Sequence, residues 1–392
     1  MRKSRSGFTF ASCACFVLGI IILLVNIVAL YFIEDFAVLS YLTREFAKNN
    51  YVETASDHIQ TENEDKLVLV YGKISTDQVL ADTDFNVKVE NSTNFSRIVE
   101  MYQWEERRTE HTVYKGKHKH TEYSYTVKEG WHDYLVNSDH FHKHKRECQN
   151  PNVMPYQGFK IAAKNVKMGV YTVIVNRLDN PYSDKIRYLS KEEIVELDSS
   201  NVNIPFRSGI LKDNKILYNY YDEEKMKNAE NASGDEINND DIKPKRQVDE
   251  KYPIIGDTRI YFTKNPVCEA TILAKQSGDK LIPYKSKYLD IFEAKPGKVS
   301  IDEILSESKT GELIAVWFFR IGSYFLFCLG FYLVIFQIKN EKGCLMSLSL
   351  SLAMVTGMIA MLWFPHHLYF AVFSLVLMIT GIILATLSRN KW

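Results

Sequence analysis

Glycine and cysteine are scarce in this chain of 392 residues, and neither is grouped. The 18 glycines form no phosphate-cradling loop. A nucleophile elbow, a metalloprotease helix and a Cys-x-x-Cys pair are all missing. Triads can be assembled from distant positions, yet these absences point away from an enzyme and call for no cofactor or metal. Of the six cysteines, Cys13, Cys15, Cys328 and Cys344 lie in or at apolar stretches, leaving only Cys148 and Cys268 in hydrophilic sequence. That excludes a disulfide scaffold and a zinc ribbon. One Cys148–Cys268 bridge and two free thiols both stay open. Net charge is absent as well, with 48 Lys+Arg against 48 Asp+Glu, so nothing pulls the chain generally toward nucleic acid.

Charge is missing above all from four long runs. Residues 6–33, 313–338, 344–364 and 368–387 are apolar, and each meets the roughly 20 residues a helix needs to cross a bilayer core. Residues 339–343 and 365–367 are the only spacers between the last three, which forces those helices to run up and down beside one another. The first run is about twice the 7–15 residues of a signal-peptide core and ends without a small-residue cleavage site. It reads as a retained signal anchor.

Lys and Arg near the ends of the spans give the orientation. Arg2, Lys3, Arg5, Lys339, Lys342, Arg389 and Lys391 collect on one side, whereas Glu34, Asp35 and Glu312 flank the other. Residues 1–5 and 388–392 are then cytosolic, and the body at 34–312 is luminal. Arg320 is the one Asp, Glu, Lys or Arg inside the spans. No carboxylate within them can pair with it, and it sits about two turns from the luminal end, so its stem is expected to snorkel to the headgroups. Asn26 in the first span suits interhelical hydrogen bonding.

The body reads as strand-rich α+β, giving a four-span α-helical membrane protein with a large domain between spans 1 and 2. Apolar Phe36, Leu39, Leu42 and Phe46 predict a short juxtamembrane helix. Strands are predicted at 66–74, 97–104, 169–175, 258–263 and 267–274, with a hairpin turning at 115–117. Ser190-Lys-Glu-Glu193 and Ser300-Ile-Asp-Glu303 are capping boxes flanked by apolar staples, each predicting a helix start. The acidic stretch 222–251 has too few apolar residues to order itself.

His140, His142 and His144 would share one face of a strand, as would His118 and His120. Imidazoles so placed can bind zinc or copper, but lysines crowd them and no Cys or carboxylate completes a set. A solvated basic hairpin is the reading. Asn91, Asn94 and Asn231 match the N-glycosylation pattern; Asn91 and Asn94 are too close for both to be modified.

Several motifs together carry a resemblance. Arg97-Ile-Val-Glu100-Met-Tyr102-Gln103-Trp104-Glu105 is similar to the signature strand of the transmembrane protein 43 (LUMA) family. Tyr123-Ser-Tyr125, Trp131, Asn137-Ser-x-x-Phe141 and Asn150-Pro151 follow in that family's order. Gly256-Asp-Thr-Arg-Ile-Tyr-Phe262 and the segment 278–284 resemble a later block. The resemblance covers most of the chain from Lys66 onward; Ser40-Tyr-Leu-Thr-Arg44 departs from it. It implies a non-enzymatic scaffold of the endoplasmic reticulum and inner nuclear membrane that self-associates and organises membrane protein complexes, with emerin and lamins as partners. It assigns no role to Arg97, Glu100, Tyr102, Gln103 or Trp104, for which holding a β-sheet together is the simplest one. A lipid-handling or channel-like protein, with a pathway through the bundle, is the alternative.

Overall fold

The computed structural model describes residues 10–115, 118–143, 146–175, 180–206, 208–224, 247–336 and 343–390. Among them, four helices are long and apolar enough to cross a membrane. These are α1 (Phe10–Asn50), α2 (Ile301–Phe336), α3 (Gly343–Trp363) and α4 (Leu368–Asn390). The apolar run at 6–33 and the expected juxtamembrane helix are one uninterrupted helix, because nothing at the boundary breaks helical geometry: Glu34 and Asp35 are tolerated in a helix interior. α2 starts where the second capping box predicts, with the Glu303 amide donating to Ser300 Oγ at 3.3 Å. It delivers the chain without a break into the apolar block.

The first capping box starts no helix. Ser190 Oγ donates instead to the Pro266 carbonyl at 2.6 Å, and Asn265 Nδ2 donates to the Ser190 carbonyl at 2.9 Å. With the cap engaged by a neighbouring strand, Glu193–Ile194 joins a sheet. A tertiary partner overrides the local signal.

Between α1 and α2 the chain forms β1 (Tyr51–Ala55), β2 (Leu67–Ser75), β3 (Leu80–Asp82), β4 (Val87–Val89), β5 (Ser92–Lys115) and β6 (His118–His132). Then come β7 (Phe159–Ala162), β8 (Val166–Met168), β9 (Tyr171–Val173), β10 (Glu193–Ile194), β11 (Ile210–Lys212) and β12 (Lys215–Asn219). The last group is β13 (Asp257–Pro266), β14 (Glu269–Ser277), β15 (Lys280–Ile282), β16 (Tyr284–Lys285), β17 (Asp290–Ile291) and β18 (Glu293–Pro296). One sheet runs β1-β2-β8-β9-β15-β14-β18, and an extra β2–β14 pairing closes its middle into a ring. The other runs β11-β12-β13-β5-β6, with β10 on β13 and β7 on β5.

Alternation explains how these layers assemble. Val68, Val70, Ile272 and Ala274 point into a core shared with Phe95, Val99, Ile260 and Phe262 of the second sheet. Leu67, Leu69 and Leu273, one residue out of phase, point the other way onto Ala47 of α1 and Ile304 and Leu305 of α2. β2 is therefore buried on both faces, which is why it reads as continuous Leu-Val-Leu-Val. Each such side chain contributes about 1.5–3 kcal/mol on burial, so the domain is docked firmly on the roots of the two helices. Gly169, at φ +57°, lets the β8–β9 turn pass Ser56: a Cβ there would lie 1.8 Å from the Ser56 carbonyl oxygen.

β5 and β6 continue far beyond the sheet. Their ladder runs from Met101 opposite His132 to Lys115 opposite His118, whereas β13 stops pairing with β5 at Met101. The outer part is a free two-stranded ribbon, exposed on both faces from Arg107 to Thr112.

Candidate functional site

α1 and α2 lie antiparallel, and a ladder of polar contacts fixes their register. Asn26 Nδ2 donates to the Ser323 carbonyl at 2.8 Å; Arg320 meets Glu34, Arg44 meets Glu312, and Lys48 meets Asp302. At the far end Gly19 and Gly330 allow close approach: a Cβ on Gly19 would come within 2.9 Å of the Gly330 carbonyl oxygen. The Lys48 pair is exposed and worth little. The Glu34 pair is different in kind.

Arg320 does not snorkel. It is buried, and its Nε and Nη2 donate to the two carboxylate oxygens of Glu34 at 2.7 and 2.8 Å. Trp363 Nε1, from the end of α3, donates to the same carboxylate at 2.9 Å. Glu34 is fully buried. The Trp317 and Phe370 rings flank the guanidinium at 4.8 and 5.5 Å. Three helices thus meet on one carboxylate, and α4 adds Phe370. Because α1 runs past 33, Glu34 stands level with Arg320 instead of marking the end of a span. The helical spacing from Phe36 to Phe46 was the available signal. Only the register of α1 against α2 turns it into a pair.

Beside this knot lies a cavity of about 210 Å³, lined by Phe36, Ala37, Ser40 and Arg44 of α1, by residues of α2 from Glu312 to Arg320, and by Trp363, His367 and Phe370. Tyr41 packs its ring against both Trp363 and His367, at 5.7 Å each.

The signature strand forms a second centre, within the domain. Arg97 is buried; its Nη1 donates to Asp82 at 2.9 Å and Asp84 at 2.8 Å, and its Nε to the Gln157 carbonyl at 3.0 Å. Its guanidinium lies over Phe159 at 4.7 Å. Gln103 is fully buried and bridges the backbone of Tyr134 and Val136. The Trp104 backbone exchanges two hydrogen bonds with the Asn150 side-chain amide, and the Asn150 backbone N–H donates to Ser138 Oγ. On the opposite face Glu100 accepts from Arg259 at 2.7 Å, and Tyr102 donates to Glu129 at 3.2 Å. Strand, loop and the 256–262 block are therefore tied together by side-chain hydrogen bonds, to the backbone in the loop and to Arg259 in the block.

Arg259 also donates to Glu250 at 2.8 Å and stacks over Trp131 at 4.3 Å. Burial acts to raise the Glu250 carboxyl, but the hydrogen bonds from Lys215 and Arg259 outweigh it and hold that carboxyl below its usual range. A depressed carboxylate contributes stability that is complete above its unfolded value, roughly 4.3, and is lost as pH falls through the lower folded value. Glu250→Gln is expected to lower the melting temperature of the full chain at pH 7 and to flatten its decline in acid, as read by scanning fluorimetry.

Of the other sequence candidates, Asn231 lies outside the described residues, as does most of the acidic stretch (225–246). The flanks of that stretch are built into the domain: Glu223 accepts from the Ser208 amide and hydroxyl at 2.6 Å. Asn94 is buried and hydrogen-bonded to Asn265, whereas Asn91 is exposed at a turn with φ +49°. Cys148 and Cys268 are free thiols, both pushed above the usual value by burial. His140 closes a 3₁₀ turn (Ser138–His140) and His142 lies in a bend stacked on Tyr125 at 4.9 Å, so neither is on a strand. The local turn is set by Asn137, whose side chain accepts from the Asp139 amide. His144 is outside the described residues. Among the described residues no three His, Cys, Asp or Glu side chains are grouped to hold a metal.

Helices and strands together define a multipass membrane protein with a large β-rich domain inserted between its first and second membrane helices. The chain belongs to the transmembrane protein 43 family, whose model matches residues 101–388. It is 26% identical over 288 residues to transmembrane protein 43 of Mus musculus and 25% identical over 288 residues to that of Homo sapiens. It is 23% identical over 277 residues to the transmembrane protein 43 homolog of Drosophila melanogaster. These alignments cover 69, 69 and 68% of this chain, and the chain spans 61% of the length of each relative. No solved structure matches.

Proposed function

We propose that this protein is a non-enzymatic scaffold of the endoplasmic reticulum and inner nuclear membrane, which self-associates, organises membrane protein complexes and contributes to nuclear envelope structure. In this reading the β-rich domain is luminal and both termini are cytosolic or nucleoplasmic. Emerin and lamins are the partners the family resemblance suggests.

The observation that supports it best is how the buried polar groups of the helix block are used. Arg320, Glu34 and Trp363 close on one another, while Ser347, Ser351 and Thr356 donate to carbonyls of their own helix. Such an interior favours packing over conduction. The free β5–β6 ribbon offers an arm for protein contacts. The cleft beside Arg320 favours the second reading, a lipid-handling or channel-like protein. However, its lining residues gather at the level of the α3–α4 turn and include none from α2 beyond Arg320 or from α1 before Phe36.

Crosslinking with mass spectrometry in native membranes tests the scaffold. Self-links between copies, with links to emerin or lamins, are the expected result; a chain that runs monomeric and unlinked overturns it. Orientation is tested by protease added to sealed microsomes, where cleavage within 222–251 without permeabilisation would overturn the luminal placement. In that placement Asn91→Gln removes an endoglycosidase-sensitive gel shift and Asn94→Gln does not, since Asn94 is buried.

A further inference from the structure

The cleft beside the charge knot has the chemistry of a lipid site. Its walls are apolar, and Phe36, Leu313 and Trp317 are each about half exposed at its mouth, on the outer surface of the helices. Its level is set by the α3–α4 turn, because Trp363 and His367 line it; irregular backbone of this kind belongs at the membrane boundary and not in the hydrocarbon. Aromatic side chains gathered at one level mark the same boundary.

Two polar features distinguish it from a plain apolar groove. At the rim, Arg44 and Glu312 form an ion pair with side chains 17 and 31% exposed. Deeper, Ser40 is 3% exposed and its hydroxyl has no hydrogen-bond partner. A buried hydroxyl left so costs about 1–3 kcal/mol, and an ester or phosphate oxygen would satisfy it. The charges lining the cleft, with Glu34 behind Arg320, sum to zero, which suits a ligand carrying one charge of each sign.

We propose that this cleft holds one zwitterionic glycerophospholipid, its phosphate at Arg44, its ammonium group at Glu312 and an acyl chain along Trp317 and Phe370. A purely anionic lipid would compete with Glu312 for Arg44 and bring no ammonium group to replace it. This goes beyond the scaffold reading and needs only that the helices lie in a membrane. Its readout is bound lipid rather than crosslinks, so the two can fail separately.

The test is native mass spectrometry of the full chain in mild detergent, offered equal amounts of phosphatidylcholine and phosphatidylglycerol. The expected result is one retained phosphatidylcholine, preferred by about tenfold, which corresponds to about 1.4 kcal/mol. Glu312→Gln, at the rim, is expected to shift that preference toward phosphatidylglycerol by freeing Arg44. Ser40→Trp, which fills the cleft, is expected to abolish retention. Equal retention of both lipids, no retained lipid, or a preference unmoved by Glu312→Gln overturns the proposal, and the rim variant decides it if Ser40→Trp does not fold.

Discussion

Replacing Arg320 with methionine is expected to destabilise the helix block by about 3–5 kcal/mol, the cost of leaving a buried charge without its partner. Glu34 is fully buried and would keep only the Trp363 hydrogen bond. Glu34→Leu should cost a similar amount from the other side, since among the described residues Arg320 has no second carboxylate as an ion-pair partner. The informative variant is the double one, Glu34→Leu with Arg320→Met. With both charges gone, apolar side chains of similar volume can pack in their place, and such replacements are often neutral or stabilising. Trp363 Nε1 would still lose its acceptor, which retains a penalty of about 1–3 kcal/mol. Thermal unfolding of the four proteins in one detergent gives the coupling energy directly. Additive losses would show that the pair does not form.

Arg97→Met is expected to be comparably damaging, at about 3–5 kcal/mol, but in the domain. Asp82 is almost fully buried and would lose its cation, and the Gln157 carbonyl its donor. Arg97→Lys should rescue little: an ammonium can approach the carboxylates but lacks the planar fork that serves Asp82, Asp84 and Gln157 together while stacking on Phe159. Limited proteolysis of the full chain separates this effect from that of Arg320. Loss of resistance in the β-rich region with the helix block intact is expected for Arg97, and the reverse for Arg320. Wild-type resistance in Arg97→Met would refute the structural role given to the signature strand.

Those two arginines also show what could be read in advance. Arg97 stood out because its neighbours resemble a family strand, and its place on a β-strand was legible from Ile98, Val99 and Tyr102. Its partners were not: Asp82 and Asp84 come from the β3–β4 hairpin and Gln157 from the segment before β7, which only the folded domain gathers. Arg320 stood out as a lone charge in an apolar run. Its partner was hidden because Glu34 sits at the edge of another run, where a flanking charge is the ordinary explanation. Ser190 failed for a related reason, since a capping box is a local pattern and the strand that occupies its hydroxyl is distant in sequence.

By itself, the sequence determined that four helices would be apolar enough for a membrane and that a strand-rich domain would lie between the first two. Length, charge and periodicity act locally, so they survive without knowledge of the fold. Only the tertiary structure decided that α1 runs on to Asn50, that β2 and β14 rest on the roots of α1 and α2, and that Glu34, Arg320 and Trp363 share one buried site. Those outcomes depend on the register between elements hundreds of residues apart, and register is set by packing against a partner.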